Sequence, residues 1–503
     1  MSQIGVRYKG NSSYWTARDS LKRPFKLDFN RFVPQQQFFG LKKLDLSNNI
    51  LDPSQVRQSL AADIFRRAGI PAPRTAFIRL YLTVPGQLDR RYLGLYTAVE
   101  PVDNRFIRVW MGDPPGFLMK PEFTRGLSYL GDQWAPYREM FVPKSEPTRE
   151  DASRMIDLVR LLDLAPEQTF QREIDEFIDE SSFLRFLAAQ SAIANLDSPL
   201  MQGKNYYLYL HPRMGKLIFF PWDFDLSFGK YPTAGNMLKQ SRLDIFHPFE
   251  GRGNWLDRYL AIPGKEERLR QKYDALMAGP FSRDRIFSDI YAIYDVIYHA
   301  VAKDPTLSID EVKRHLGVKE QSIANDLPTE DSSSELGYGT LSLRTFVERR
   351  SDSISRQLRN QEPGYVPEAE EIRKPDSDRP ESIFAWQIMR LTDRNRDGTV
   401  SWNEFAAFLT TCFDEWDYDH SEALARDEVA KGFAALLPSM GPRTGPEQSL
   451  AKKMFWREGV SGDHTFSREG WERVGRELFE SWDTGKNGFL TRSQIDHAIV
   501  PGA

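Results

Sequence analysis

The sequence predicts an α+β domain followed by an all-α domain. Three observations carry that expectation. Alternating β-branched and aromatic residues dominate the first 125 residues, whereas helical periodicity dominates from about residue 148. A charged, proline-rich stretch over 361–382 breaks the composition and reads as an exposed linker. Beyond it, helix–loop–helix units repeat to the end of the sequence. With 503 residues, the chain exceeds one ordinary core, in line with two or more domains.

The elements follow in order. Ile4–Lys9, Phe25–Phe29, Thr75–Leu82 and Tyr92–Val99 read as strands. Asp52-Pro53-Ser54 opens a helix that runs through Ala68. Val56, Leu60, Ile64 and Phe65 share its apolar face, and Gly69 and Pro71 end it. Pro147-Thr148 starts a further helix, and an apolar stripe runs from Ile174 to Asn195. Asn205–Leu210 and Lys216–Pro221 read as short strands joined by a turn at Pro212-Arg213-Met214-Gly215. Residues 265–302 and 342–360 return to helix, and serine-rich 327–339 reads as a loop. The expected domains are 1–360, with a β-rich part to about 125 and a helical part after it, and 383–503.

A 40% hydrophobic and 27% charged composition fits a folded protein. Net charge is −4, from 67 basic and 71 acidic residues, so nucleic acid and anionic membrane are not expected partners. No apolar run reaches the length of a transmembrane helix, so no integral membrane segment is expected. Cys412 is the single cysteine, which excludes an internal disulfide. The opening residues lack a signal peptide and read as if they begin inside a strand. An N-terminal truncation is therefore expected, and the compartment stays open, export and cell surface included.

The most complete motif starts at Asp393. Asp393, Asn395 and Asp397 fall at positions 1, 3 and 5 of an EF-hand calcium loop, with Gly398 at the sharp turn. The Thr399 carbonyl serves position 7, Ser401 lies at 9, and Glu404 closes the loop as a bidentate carboxylate. Val400 at position 8 is apolar, as pairing with a second loop requires. A second loop places Asp417, Asp419 and Ser421 at positions 1, 3 and 5, the Ala423 carbonyl at 7 and Glu428 at 12. Glu422 stands where glycine is usual, which strains that turn. Gly459–Gly470 has Phe466 at position 8 but no acid at either end, and reads as a structural remnant. A fourth loop offers Asp483 and Asn487, but the neutral Gln494 closes it. Four units in two pairs are expected, because an isolated unit leaves its apolar face bare.

A different constellation lies upstream. Asp197 follows a helix, Asn205 comes shortly after, and Asp223 lies beyond the hairpin. Kinase-like sites hold magnesium and orient a hydroxyl with such a set. The alternative is that these residues cap turns. Near the start, Gly10-Asn11-Ser12-Ser13 is a small-residue turn able to cover phosphates, and Lys26 on the next strand can reach them. The alternative for Lys26 is a solvated strand face.

Together these pieces resemble the CotH kinase family, named after a spore-coat protein. The resemblance runs from Gly5 to about Gly229, with a looser helical continuation to about 358. It is carried by Gly5-Val6-Arg7-Tyr8-Lys9-Gly10-Asn11-Ser12-Ser13, Arg23-Pro24-Phe25-Lys26-Leu27-Asp28-Phe29 and Phe39-Gly40-Leu41-Lys42-Lys43-Leu44-Asp45-Leu46. Gly94-Leu95-Tyr96-Thr97-Ala98-Val99-Glu100, Asn205-Tyr206-Tyr207-Leu208-Tyr209 and Pro221-Trp222-Asp223-Phe224-Asp225-Leu226-Ser227-Phe228-Gly229 complete it.

The resemblance implies an atypical protein-kinase-like fold of two lobes with ATP between them. It implies phosphoryl transfer from ATP, with Mg2+ or Mn2+, to Ser or Thr of a protein substrate. Lys26 would hold the phosphates with the Ser12–Ser13 turn, and Glu100 would sit near the hinge. Asp197 would be the catalytic base, and Asn205 and Asp223 would bind the metal, with Asp225 as a second contact. Two departures stand out. Typical kinases pair the strand lysine with a helix glutamate, but Gln55–Ala68 carries no Glu and Asp63 is its one acid. The interval from Asp197 to Asn205 is also longer than in ordinary kinases. Two other classes therefore remain: a kinase-like binding or adhesion protein without phosphotransfer, and a calcium-stabilised structural protein.

Overall fold

The computed structural model describes residues 3–10, 12–17, 20–112, 116–121, 129–201, 203–232, 234–249, 255–318, 341–367, 392–393, 399–425, 428–429, 432, 465–491 and 494–495. Helix and strand are mixed, as in an α+β protein. Two compact units emerge, Met1–Ile372 and Arg373–Ala503.

The first unit opens with β1 (Gly5–Tyr8), a one-turn helix α1 (Ser12–Thr16), β2 (Phe25–Asp28), β3 (Lys43–Ser47), α2 (Arg57–Arg67), β4 (Thr75–Val84) and β5 (Leu88–Val99). The five strands form one antiparallel sheet in the order β1-β2-β3-β5-β4. All four expected strands are present. β3 is additional: Leu44 and Leu46 alternate with polar residues, but its buried Asp45 breaks the usual polar-out rule. Of the expected phosphate-covering turn over 10–13, Gly10 holds a positive φ, Asn11 lies outside the described residues, and Ser12 and Ser13 open α1.

Then come α3 (Asn104–Met111), β6 (Phe117–Met119), α4 (Arg138–Phe141), α5 (Arg149–Leu164), α6 (Glu167–Phe177), α7 (Glu180–Ala192), β7 (Tyr206–Leu210) and β8 (Leu217–Pro221). Thr148 caps α5 in a reciprocal capping box with Asp151. The stripe expected from Ile174 to Asn195 is two helices, because Asp179 caps Ser182 and starts α7 afresh. The antiparallel β6-β7-β8 sheet is buried on both faces, which explains its unbroken apolar runs. Tyr206, Leu208 and Leu210 face the main core, while Tyr207 and Tyr209 pack with Phe106 and Phe220.

The unit closes with α8 (Met237–Ser241), α9 (Trp255–Leu260), α10 (Lys265–Ala278), α11 (Arg283–Val301), α12 (Ile309–Leu316) and α13 (Leu343–Leu358). The helix expected over 265–302 breaks at Gly279–Ser282. The serine-rich 327–339 stretch lies outside the described residues. The expected exposed linker begins differently: Tyr365 N donates to Arg242 O at 2.7 Å and Asp244 N donates to Tyr365 O at 2.8 Å, so this segment docks on the domain.

One buried ion pair ties the five-stranded sheet to the helices. Lys22 Nζ lies 2.7 Å from Asp304 Oδ2, which also accepts from Leu95 N at 2.7 Å. Asp304 sits directly over Gly94, where φ is +122° and a Cβ would come within 2.3 Å of the carboxylate. Glycine is required there by both backbone and space.

In the second unit β9 (Thr399–Ser401) leads into α14 (Trp402–Trp416), followed by β10 (Ala423–Ala425). After them come β11 (Thr465–Ser467), α15 (Arg468–Trp482) and β12 (Phe489–Thr491). Ser401 and Glu404 form a capping box that starts α14. The loop strands pair through their position-8 residues, Val400 with Leu490 and Leu424 with Phe466. The first loop therefore pairs with the fourth and the second with the third. One core joins Phe405, Phe413, Trp416, Trp471, Phe479 and Trp482.

Candidate functional site

α7 ends at Ala192, and the chain turns sharply through Ala194 at φ +44° to reach Asp197. The Asp197 carboxylate has two partners. Asn205 Nδ2 donates to Oδ2 at 3.0 Å and to the Asp197 carbonyl at 2.9 Å, and Lys204 Nζ lies 3.2 Å from Oδ1. The structure thus brings Asp197 and Asn205 together across seven intervening residues. Lys204 carries no role in the sequence reading; a lysine beside an asparagine gives no signal until its neighbour is known. Burial works against its charge, but Asp197, Tyr231 and Asp223 outweigh that and raise its pKa.

Asp223 is brought to the same place by backbone. Trp222 N donates to the Asn205 carbonyl at 3.1 Å, continuing the β7–β8 pairing. Asn205 and Asp223 both hold left-handed backbone, at φ +58° and +60°. Asn and Asp tolerate that region; Ala194 and Phe228 at φ +56° do so at a cost. Four such residues at one place are strain retained where geometry matters.

α2 holds the loop from the other side. Gln58 Oε1 accepts from Phe224 N at 3.0 Å, and Arg57 Nε donates to the Ser227 carbonyl at 3.1 Å. Phe65 stacks on Phe224 with centroids 5.3 Å apart. Arg57 is itself fixed by Asp52 and Ser54. These partners explain why Asp52, Arg57 and Gln58 are buried despite their polarity.

The electrostatics are those of crowded carboxylates. Burial pushes Asp223 up and Asp197 adds to this, while Lys9, Lys120 and Lys204 pull it down. Asp225 is held well above the usual carboxylate range by burial first, then by the charges of Asp223, Asp197 and Asp52. A set of desolvated acids that resist ionisation together suits a divalent cation, and the Asn205 amide oxygen adds a neutral oxygen donor. Among the described residues, however, Asp197, Asp223 and Asp225 do not form a group whose ligand atoms all lie within 4.8 Å.

The remaining predicted residues are placed as follows. Lys26 on β2 lies 3.3 Å from Asp45 Oδ1 on β3. Asp63 is taken by Arg66, at 3.0 Å, and by Arg67, so the lysine's acid comes from the adjacent strand rather than the helix. Glu100 ends β5 at the passage to α3, but its carboxylate is occupied. Arg74 Nε at 2.8 Å, Arg74 Nη2 and Arg105 Nη1 at 3.0 Å all donate to it. That clamp leaves Glu100 a structural role at the passage. The Ser13 carbonyl faces Asn48 Nδ2 at 3.5 Å, and the Ser12 side chain lies outside the described residues.

In the second unit, Asp417, Asp419 and Glu428 offer oxygens that all lie within 4.8 Å of one another. The loop is ordered by its own N–H groups: Ser421 N donates to Asp417 Oδ1 at 2.9 Å and to Asp419 Oδ1 at 3.0 Å, and Ala425 N to Glu428 Oε2 at 2.8 Å. Glu422 takes the glycine conformation at φ +60°. The Ala423 carbonyl accepts from Ser421 Oγ at 3.0 Å. In the first loop Asp393, Thr399 and Glu404 are described, whereas Asn395 and Asp397 lie outside the described residues. In the fourth, Gln494 Oε1 accepts from Thr491 N at 2.8 Å, and Asp483 accepts from Asn487 N and Gly488 N at 3.2 and 2.8 Å.

No helix among the described residues is long and apolar enough to cross a membrane. Comparison with known proteins gives two findings. Inner spore coat protein H of Bacillus subtilis (strain 168) is 24% identical over 230 residues, which is 45% of this chain and 59% of that protein. The chain thus spans under two thirds of the length of that relative. The family described as CotH kinase protein matches residues 6–352, which takes in the sheet, α2 and the whole acidic site. This protein belongs to the CotH kinase protein family.

Proposed function

We propose that this protein is an ATP-dependent protein kinase that transfers the γ-phosphoryl group to Ser or Thr of a protein substrate. The observation that carries this is the meeting of Asp197, Asn205 and Asp223, drawn from three stretches of chain, with Asn205 and Asp223 on left-handed backbone. Asp197 accepts the proton of the attacking hydroxyl; Asn205 and Lys204 fix its two oxygens. Lys26, steadied by Asp45, binds the phosphates. Asp223 and Asn205, with Asp225 behind them, would hold Mg2+ or Mn2+, which neutralises charge on the phosphates when bound. Catalysis then rests on positioning and charge rather than on a covalent intermediate.

We propose further that the second unit binds Ca2+ through Asp393, Asn395, Asp397, Thr399 and Glu404, and through Asp417, Asp419, Ser421, Ala423 and Glu428. The gathered carboxylates of the second loop support this. Asp483 and Asn487 make a weaker third site, because Gln494 brings no charge. The relative's name puts that protein in a spore coat, and a coat or surface location is proposed here too.

The kinase activity is tested with purified protein, labelled ATP and a divalent cation. Asp223→Ala should lower phosphate incorporation, autophosphorylation included, by at least about a hundredfold. Equal incorporation by wild type and variant removes Asp223 from the mechanism.

A further inference from the structure

The five-stranded sheet presents a second lysine to the site. Arg7, Lys26 and Asp45 lie directly opposite one another across β1, β2 and β3, so they share one face. Lys9 follows two residues after Arg7, and its N–H donates to the Pro24 carbonyl at 3.1 Å, extending the β1–β2 pairing. The two ammonium groups take different oxygens of one carboxylate: Lys26 Nζ lies 3.3 Å from Asp45 Oδ1 and Lys9 Nζ 3.8 Å from Oδ2. Asp45 is buried, while Lys9 and Lys26 keep 24% and 27% of their side chains exposed. One carboxylate facing two cations leaves a surplus positive charge, and the lysines remain able to reach a ligand.

Lys9 also spans the gap to the aspartate loop. Its Nζ lies 5.7 Å from the ring centroid of Trp222, the residue before Asp223, and its charge is felt by the Asp223 carboxylate. A lysine serving the sheet alone has no need to lean on that ring. We infer that Lys9 is a second triphosphate-binding residue, and that Asp45 is the shared acid that positions Lys9 and Lys26 for it. Asp45 thereby does from a strand what a helix glutamate does elsewhere, which accounts for an α2 without one. This assignment rests on the ATP-phosphate site proposed above.

The test is calorimetric titration of the full chain with Mg-ATP and, separately, with adenosine, which lacks the phosphates. Lys9→Met and Asp45→Asn should each weaken Mg-ATP binding by about tenfold or more, leave adenosine binding within twofold of wild type, and in Lys9→Arg most of the Mg-ATP affinity should return. Mg-ATP affinity within twofold of wild type in Lys9→Met overturns the assignment, as does a parallel loss for adenosine, which would mark a folding effect. Phosphotransfer is measured beside it. A wild type that binds Mg-ATP but transfers nothing overturns the kinase activity and leaves the lysine assignment standing; a wild type that binds neither compound overturns both.

Discussion

Asp197 sits four residues beyond Ile193, the C-cap of α7, and one buried cation helps to hold that corner. Arg350 on α13 is fully buried, and donates to the Ser191 carbonyl at 3.1 Å, to Ser191 Oγ at 3.1 Å, to the Ala192 carbonyl at 3.3 Å and to the Leu243 carbonyl. No carboxylate is among these acceptors. α7 has no basic residue in its own last turn, so Arg350 supplies from another helix the charge that a C-terminal dipole favours. Burial lowers its pKa to about 10, which keeps it charged near neutrality. Arg350→Met should cost about 3 kcal/mol or more, because the freed carbonyls stay buried. Urea unfolding at pH 7 measures this, and a loss under about 1 kcal/mol would show that the corner holds itself. Nothing in the sequence points to Arg350: a basic residue in an ordinary amphipathic helix reads as solvated. Asp45, Lys9 and Lys204 escape notice for the same reason, since their roles depend on partners remote in sequence or across strands. Asp197, Asn205 and Asp223 are legible because each sits at the end of an apolar strand or helix.

The elements were legible where periodicity is strong and illegible where one polar residue redirects the chain. α2 and the four outer strands follow their apolar patterns, whereas Asp179 splits one long stripe into α6 and α7. The loop strands of the second unit show a further limit. Apolar residues at position 8 predict that loops pair, but all four candidates have one, so the partners are not encoded locally. The nested choice places ligand-poor β11 beside β10, which belongs to the loop with the gathered acids. Glu428 is then the residue whose removal is most informative. It accepts from Tyr418 N and Ala425 N, at 2.8 Å each, and so spans the loop. Glu428→Gln should weaken calcium binding at that loop by about tenfold or more, since the bidentate charged contact is lost. Titration of the full chain with CaCl2 reads the affinity of each site. Identical isotherms for wild type and variant would take the second loop out of the calcium-binding set.

At the scale of the whole first unit, a half-buried histidine makes stability respond to acid. His315 on α12 has its pKa lowered to about 4, by burial first and then by the positive charges of Arg57, Arg314 and Lys230, with Asp52 opposing. Glu311 on the same helix lies 3.8 Å from Nε2, too far to form a hydrogen bond that would offset those charges. The folded protein therefore resists protonating a group that the unfolded chain protonates near pH 6.5. Above that pH both states are neutral at this residue and it contributes no pH dependence. Below it the unfolded state binds the extra proton, so stability falls as pH drops and the loss levels off near pH 4. By pH 5 the loss should be about 2 kcal/mol. His315→Gln removes the titrating group from both states. The urea midpoint of wild type should thus fall between pH 7 and pH 5 more steeply than that of His315→Gln, whatever the shared contribution of the carboxylates. The same Arg57 also donates to the Ser227 carbonyl in the loop that carries Asp223, so a charged His315 would press on the residue that grips that loop. Parallel slopes in the two proteins would show that His315 is open to water in the folded state, and would remove this coupling between acid and the site.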